Sequence, residues 1–282
     1  MSDRPSSELQ SPASPPLFDA YAPAEVAKRV QRVGLAKAAA PVTTTVALGL
    51  LGGAFIALGA LFFTVTITTG SDSSPAPFGL TRLAGGITFS LGLILVVVGG
   101  AELFTGNNLI AMAWASGRIT TSQVLRNWGW VYFGNFVGAL GTAFLVWLAD
   151  VQSLGDGAVG ETMVRIAKAK VSLDPLTAVA RGILCNVLVC LAVWLCMAAR
   201  SVADKIFAIL FPISAFVACG FEHSVANMYL LPIGMMAAAA GHHPIAAMDA
   251  LTNLLFVTAG NILGGTVLVA LVYWSVYLRE DS

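Results

Sequence analysis

The chain has 282 residues, 57% of them hydrophobic and 11% charged, with a mean hydropathy of +0.82. A chain this long and this poor in charge is an integral membrane protein, which excludes an ordinary soluble domain. Its 15 Lys and Arg balance its 15 Asp and Glu, so net charge offers no sign of a nucleic-acid partner.

Residues 1–22 are rich in Pro, Ser and charge and read as a disordered cytoplasmic tail, with no apolar core of the signal-peptide kind. Residues 23–38 place Val26, Val30 and Val33 on one helical face and Lys28, Arg29, Arg32 and Lys37 over much of the rest. That is a short basic amphipathic helix, suited to the cytoplasmic membrane surface or, equally, to an ordinary solvated lead-in. The remainder, 39–282, reads as a transmembrane channel domain. Six apolar segments follow at about 42–69, 82–116, 127–149, 175–199, 206–239 and 249–277. Each is near or above the ~20 residues needed to span a bilayer. The second and fifth are too long for one crossing, and each carries a polar interruption.

In the second segment the interruption is Gly99-Gly100-Ala101-Glu102-Leu103-Phe104-Thr105-Gly106-Asn107-Asn108. A carboxylate at that depth faces a cavity or a partner, and irregular backbone there needs protein or water to satisfy it. The fifth segment repeats the phrase as Gly220-Phe221-Glu222-His223-Ser224-Val225-Ala226-Asn227. Gly100, Glu102 and Asn107 align without a gap on Gly220, Glu222 and Asn227. Downstream, Gly134-Asn135-x-x-Gly138 answers Gly260-Asn261-x-x-Gly264. Matches in the same order favour an internal duplication over chance likeness among Gly-rich helices. The repeats cover about 42–149 and 175–277, and three spans in each half make the halves inverted. The expected fold is therefore all-α: six transmembrane helices in an inverted 3+3 repeat, with helices 2 and 5 broken.

With the N-terminus inside, ten of the fifteen cations lie on the cytoplasmic side, which also places the C-terminus there. The longest outer loop, 150–174, carries Arg165, Lys168 and Lys170, so the outer mouth is locally basic. The four cysteines, Cys185, Cys190, Cys196 and Cys219, lie in apolar segments without zinc spacing and suit core packing. No metal or cofactor is called for.

His223 is the one histidine inside an expected span, while His242 and His243 fall in an outer loop. Beside Glu222 in a helix break, its titratable ring suits proton exchange or contact with an anion. Thr105 sits in the corresponding break and offers a hydroxyl donor. Glu102 and Glu222 fit two roles: binding cations or protons, or bracing the breaks by accepting backbone N–H groups. Their equivalent positions favour bracing. Phe89, Leu93, Phe104 and Phe216 are candidates for apolar constrictions, which exclude hydrated ions.

These blocks, together with Gly117-Arg118-Ile119-Thr120, Tyr132-Phe133-Gly134-Asn135 and Gly182-Ile183-Leu184-Cys185-Asn186, resemble the signature blocks of the formate/nitrite transporter family over about residues 25–279. Arg118-Ile119-Thr120 and Leu278-Arg279-Glu280 are similar to the wording of its formate-channel branch. The resemblance implies an aquaporin-like protomer within a homopentamer, in the bacterial cytoplasmic (inner) membrane. It implies His223 as the central pore histidine with Thr105 opposite, Lys170 near the outer mouth and Asn186 beside them. It adds Val189 to the constriction set of Phe89, Leu93, Phe104 and Phe216. Glu102 and Glu222, with Asn107 and Asn227, would support the loop and the histidine. The 23–38 helix resembles a segment tied to pH-dependent gating.

The expected activity is passage of formate, a small monovalent weak-acid anion, coupled to protons and with no enzymatic step. Desolvation in an apolar constriction disfavours the charged form, so a proton from water or His223 lets the neutral acid cross. Nitrite, hydrosulfide, lactate and acetate are alternatives as main substrate. An aquaporin-like channel for neutral solutes is another, although its paired Asn-Pro-Ala signature is absent. A membrane enzyme using Glu222 and His223 lacks any accompanying nucleophile or metal set.

Overall fold

A computed structural model describes residues 19–69, 77–241 and 244–279. His242, His243, Glu280, Arg4 and most of the N-terminal tail lie outside them. The described residues form helices and turns, with no strand among them. In chain order the helices are α1 Pro23–Ala39, α2 Val42–Ile67, α3 Phe78–Gly99, α4 Ala111–Ala115, α5 Thr121–Leu148, α6 Ala158–Val171, α7 Pro175–Ala198, α8 Val202–Ala218, α9 Ser224–Ala240, α10 Ala247–Ile262 and α11 Val272–Tyr277. A 3₁₀ turn, Gly106–Ile110, leads into α4, and wider π turns over Leu263–Leu271 join α10 to α11. Among the described residues, five helical stretches are long and apolar enough to cross a membrane: α2, α3, α5, α7 and the continuous Ala247–Tyr277.

Capping residues set several of the boundaries. Thr120 caps α5: its hydroxyl accepts the Gln123 N–H while the Gln123 side chain accepts the Thr120 N–H. This box starts α5 at Thr121, ahead of the expected 127, because hydropathy alone discounts the polar first turn. Ser201 and Asp204 form the same box for α8, which therefore begins at Val202 and not at 206. Asp174 caps α7, and hydrogen bonds from the Thr177 side chain and amide hold its carboxyl below the usual carboxylate range. Thr120→Ala is expected to lower stability by about 1 kcal/mol, read as a lower unfolding midpoint of the detergent-solubilised protein.

Two readings change at this level. The outer segment 150–174 is not a plain loop, because Ala158–Val171 forms α6, which packs on α9. The amphipathic α1 buries Val26, Ala27 and Val30 in a cluster with Leu109, Met112 and Trp194, so the protein itself covers its apolar face. The chain leading into α1 is fixed as well. The Tyr21 ring lies between the Arg29 and Arg200 guanidinium groups, each 3.9 Å from its centre, and the Tyr21 N–H donates to Ala198 O at 3.1 Å.

Helix α2 packs on α3 and α5, α7 packs on α8 and α10, and α3 meets α8. The Gly-Asn-x-x-Gly motifs serve two of these crossings. A methyl group on Gly138 would run into the Leu50 carbonyl of α2, and one on Gly264 into the Ile183 carbonyl of α7.

Candidate functional site

Helices α3 and α8 end alike. Gly100 and Gly220 adopt left-handed backbone (φ 78° and 73°), which glycine takes without a Cβ penalty. The next amide then reaches back five residues: Ala101 N–H donates to Val96 O at 2.9 Å, and Phe221 N–H to Phe216 O at 3.0 Å. Each chain then leaves its helix and passes through Glu102 or Glu222.

Backbone groups exposed by these breaks are met by one buried asparagine each. Asn135 donates to Gly49 O (2.7 Å) and Glu102 O (2.9 Å) and accepts the Phe104 N–H (2.9 Å). Asn261 donates to Gly182 O (2.8 Å) and Glu222 O (2.9 Å) and accepts the Ser224 N–H (2.8 Å). The residues correspond one to one, as do the Glu102 amide on Leu48 O (3.0 Å) and the Glu222 amide on Arg181 O (3.2 Å).

The carboxylates were expected to accept backbone N–H groups; instead each takes an asparagine amide and a lysine. Glu102 accepts from Asn107 and pairs with Lys37 of α1 at 3.0 Å. Glu222 accepts from Asn227 at 2.8 Å and pairs with Lys170 of α6 at 2.9 Å. The physical reason is reach: an asparagine in the first turn of the following segment swings back onto the carboxylate, and the lysine supplies the countercharge. A second asparagine completes each set, because Asn127 accepts from Asn107 and donates to Lys37 O, while Asn253 accepts from Asn227 and donates to Lys170 O. The halves differ in detail: Lys37 also reaches Asn107 Oδ1 at 2.6 Å, whereas Asn227 Oδ1 has no partner among the described residues.

Between the two breaks, Thr105 Oγ1 lies 3.0 Å from His223 Nε2, and both side chains are buried. His223 Nδ1 accepts the Ala226 N–H at 3.0 Å, so a neutral ring carries its proton on Nε2, facing Thr105. Glu222 does not touch the ring; this N-cap bond and a near-parallel contact with Phe216 (19°, centroids 5.9 Å apart) orient it. Asn186 fixes the opposite side, donating to Thr105 O (3.3 Å), Asn108 Oδ1 (2.8 Å) and Asn261 O (2.7 Å).

Two cavities lie near this pair: His223 lines one, Leu103 and Gly106 from the loop that carries Thr105 line the other, and Thr105 itself lines neither. The one beside α6, outer in the orientation expected from the sequence, has about 270 Å³ and is lined by Phe89, Phe216, His223, Glu222 and Lys170 among others. The inner one, of about 210 Å³, is lined by Leu93, Leu103, Lys37, Glu102 and Val30 of α1 among others. Phe89, on one cavity, and Leu93, on the other, stand one turn apart on α3. Phe89 and Phe216 meet edge to face at 5.4 Å. Of the expected constriction set, Phe89, Leu93 and Phe216 line these cavities. Phe104 and Val189 line neither; Phe104 packs edge-on against Tyr132 (4.9 Å) and Trp128 (6.1 Å). Leu103, its neighbour, takes the place expected of Phe104. Leu103, Lys37, Asn127 and Asn253 were not singled out from the sequence. One signal was available: Lys37 precedes Pro41 much as Lys170 precedes Pro175, which carries the duplication back into α1 and α6.

Comparison with known proteins agrees over nearly the whole chain. The family profile described as Formate/nitrite transporter matches residues 24–275. The formate channel FocA of Escherichia coli K12 is 44% identical over 280 residues, covering 94% of this chain and 97% of the relative. FocA of Haemophilus influenzae is 42% identical, covering 78% and 82%. A solved structure described as a pentameric formate channel with formate bound superposes with a TM-score of 0.76 at 38% identity, covering 84% of this chain and 98% of that one.

Proposed function

The chain belongs to the formate/nitrite transporter family, and from that premise we propose that it carries formate across a bacterial inner membrane through one pore per protomer of a homopentamer. The observation that carries this reading is the Thr105–His223 pair at 3.0 Å, set near two cavities behind apolar side chains. In this reading α3–α4 and α8–α9 are broken spans, and the six spans form an inverted 3+3 repeat. The repeat takes in α1 and α6, so that α1–α5 mirrors α6–α11, with both termini cytoplasmic.

Lys170 draws a small anion into the outer cavity. Stripping that anion bare at Phe89 and Phe216 would cost several kcal/mol. Within reach of the pair, the anion meets the Nε2–H of His223 and the Thr105 hydroxyl. A proton taken up there, from water or from a ring that has first been protonated by water, lets formic acid pass Leu93 and ionise beside Lys37. Because α1 supplies Val30, Val33, Gly34 and Lys37 to the inner cavity wall, its displacement opens that side, which is how a pH-dependent gate would act.

Labelled uptake into proteoliposomes tests the reading. Formate is expected to move faster than nitrite, acetate or lactate, at a rate that rises as external pH falls from about 8 to 5. In His223→Asn the pH profile flattens. Uptake no faster than into empty liposomes would sink the transport claim, and an unchanged profile in the variant would sink the role of the ring.

A further inference from the structure

The two cavities differ in charge. Among the described residues lining the outer one, Arg82, Arg165, Lys170 and Arg181 face a single carboxylate, Glu222, which Lys170 already neutralises. In the inner cavity Lys37 is set against Glu102. The outer chamber thus holds three surplus guanidinium groups, and the inner one is balanced.

These arginines come from three elements and line the one cavity. Arg82 of α3 donates to Val217 O (2.7 Å) and Ala218 O (2.9 Å), and Arg181 of α7 reaches Gly220 O (3.5 Å) in the same turn. Arg165 of α6 bonds Thr162 Oγ1 (3.1 Å). Such bonds engage only part of each five-donor fork. A planar fork matches a carboxylate through two parallel hydrogen bonds, which a lysine cannot do. With Lys170 paired to Glu222, a single fork balances one monovalent substrate, so the three forks exceed what one formate requires.

We propose that the outer chamber is a docking site for a small dicarboxylate dianion, held by Arg82, Arg165 and Arg181, which competes with formate from that face and does not cross. Crossing would require both charges to be shed at Phe89 and Phe216, where one imidazole serves one proton. The site rests on the reading of the chain as a formate channel only for its competitive effect; binding itself does not depend on it.

The full-length protein in proteoliposomes provides the test, with oxalate as probe and ionic strength matched by chloride. Oxalate is expected to block labelled formate uptake when added at the arginine-bearing face and not from the opposite face. Relative to its own uninhibited flux, Arg165→Gln/Arg181→Gln should need about tenfold more oxalate for the same block. Arg165→Lys/Arg181→Lys, which keeps the charge but not the paired hydrogen bonds, should fall between the parent and the Gln variant. Calorimetric oxalate binding to the detergent-solubilised protein reads the site separately: binding that is lost in the Gln variant supports it whether or not formate moves. Formate flux indifferent to oxalate, equal block from both faces, or binding unchanged in the Gln variant would each overturn the proposal.

Discussion

Glu222→Gln is expected to destabilise the folded protein by about 3–5 kcal/mol. Both carboxylate oxygens lie 2.9–3.0 Å from the Lys170 ammonium, with side-chain exposures of 13% for the lysine and 6% for the glutamate. Glutamine keeps the shape and the acceptor for Asn227 but leaves the lysine buried without a countercharge. The equivalent Glu102→Gln should be milder, because Lys37 is 26% exposed and retains Asn107 Oδ1. Removing both charges in Glu222→Gln/Lys170→Met should recover most of the loss, since an apolar pair of similar size often matches a buried ion pair. A double-mutant cycle on unfolding midpoints measures this coupling. Equal midpoints for the single and the double variant would show that the ion pair is not what the change disrupts.

Asn261→Leu is expected to cost a comparable amount. The Asn261 side chain is fully buried, and all three of its bonds go to backbone groups: Gly182 O, Glu222 O and Ser224 N–H. Leucine fills nearly the same volume and strands those groups, at about 1–3 kcal/mol each. The expected total is therefore about 3–9 kcal/mol if the backbone does not rearrange. A rearrangement would shift the Glu222–Ser224 segment that presents His223, so formate flux should fall together with the unfolding midpoint. Asn135→Leu tests the same logic in the other half, on Gly49 O, Glu102 O and Phe104 N–H. A variant at either position with the parent's midpoint and flux would show that these bonds are dispensable.

Much of this architecture is legible in the sequence because the duplicated phrase has fixed spacing. Gly-x-Glu-x4-Asn and Gly-Asn-x-x-Gly point to residues that meet the same backbone groups twice, and a spacing survives where hydropathy blurs. The missed features share a different origin. Helix α6 is short and amphipathic, so an apolar-segment reading passes over it as loop. Lys37 lies 65 residues before Glu102, and nothing local announces that the two will pair. Leu103 and Phe104 are adjacent apolar residues outside any helix, where neighbouring side chains take different directions; only the packing of Phe104 on Tyr132 and Trp128 assigns Leu103 to the cavity. The boundaries of α5 and α8 follow capping boxes whose polar residues lower the very hydropathy used to find a span.

The paired asparagine bonds have a consequence for redesign. They engage positions 102, 104 and 107 in one half and 222, 224 and 227 in the other, with position 104 or 224 contributing only its amide. Positions 103, 105, 223 and 225 carry none of this framework through their side chains, and there the two copies have diverged: leucine and threonine against histidine and valine. The two copies thus share one frame and differ in a small set of side chains, of which His223 also caps α9. Retargeting the pore to another weak acid should begin with those four positions and leave the frame untouched.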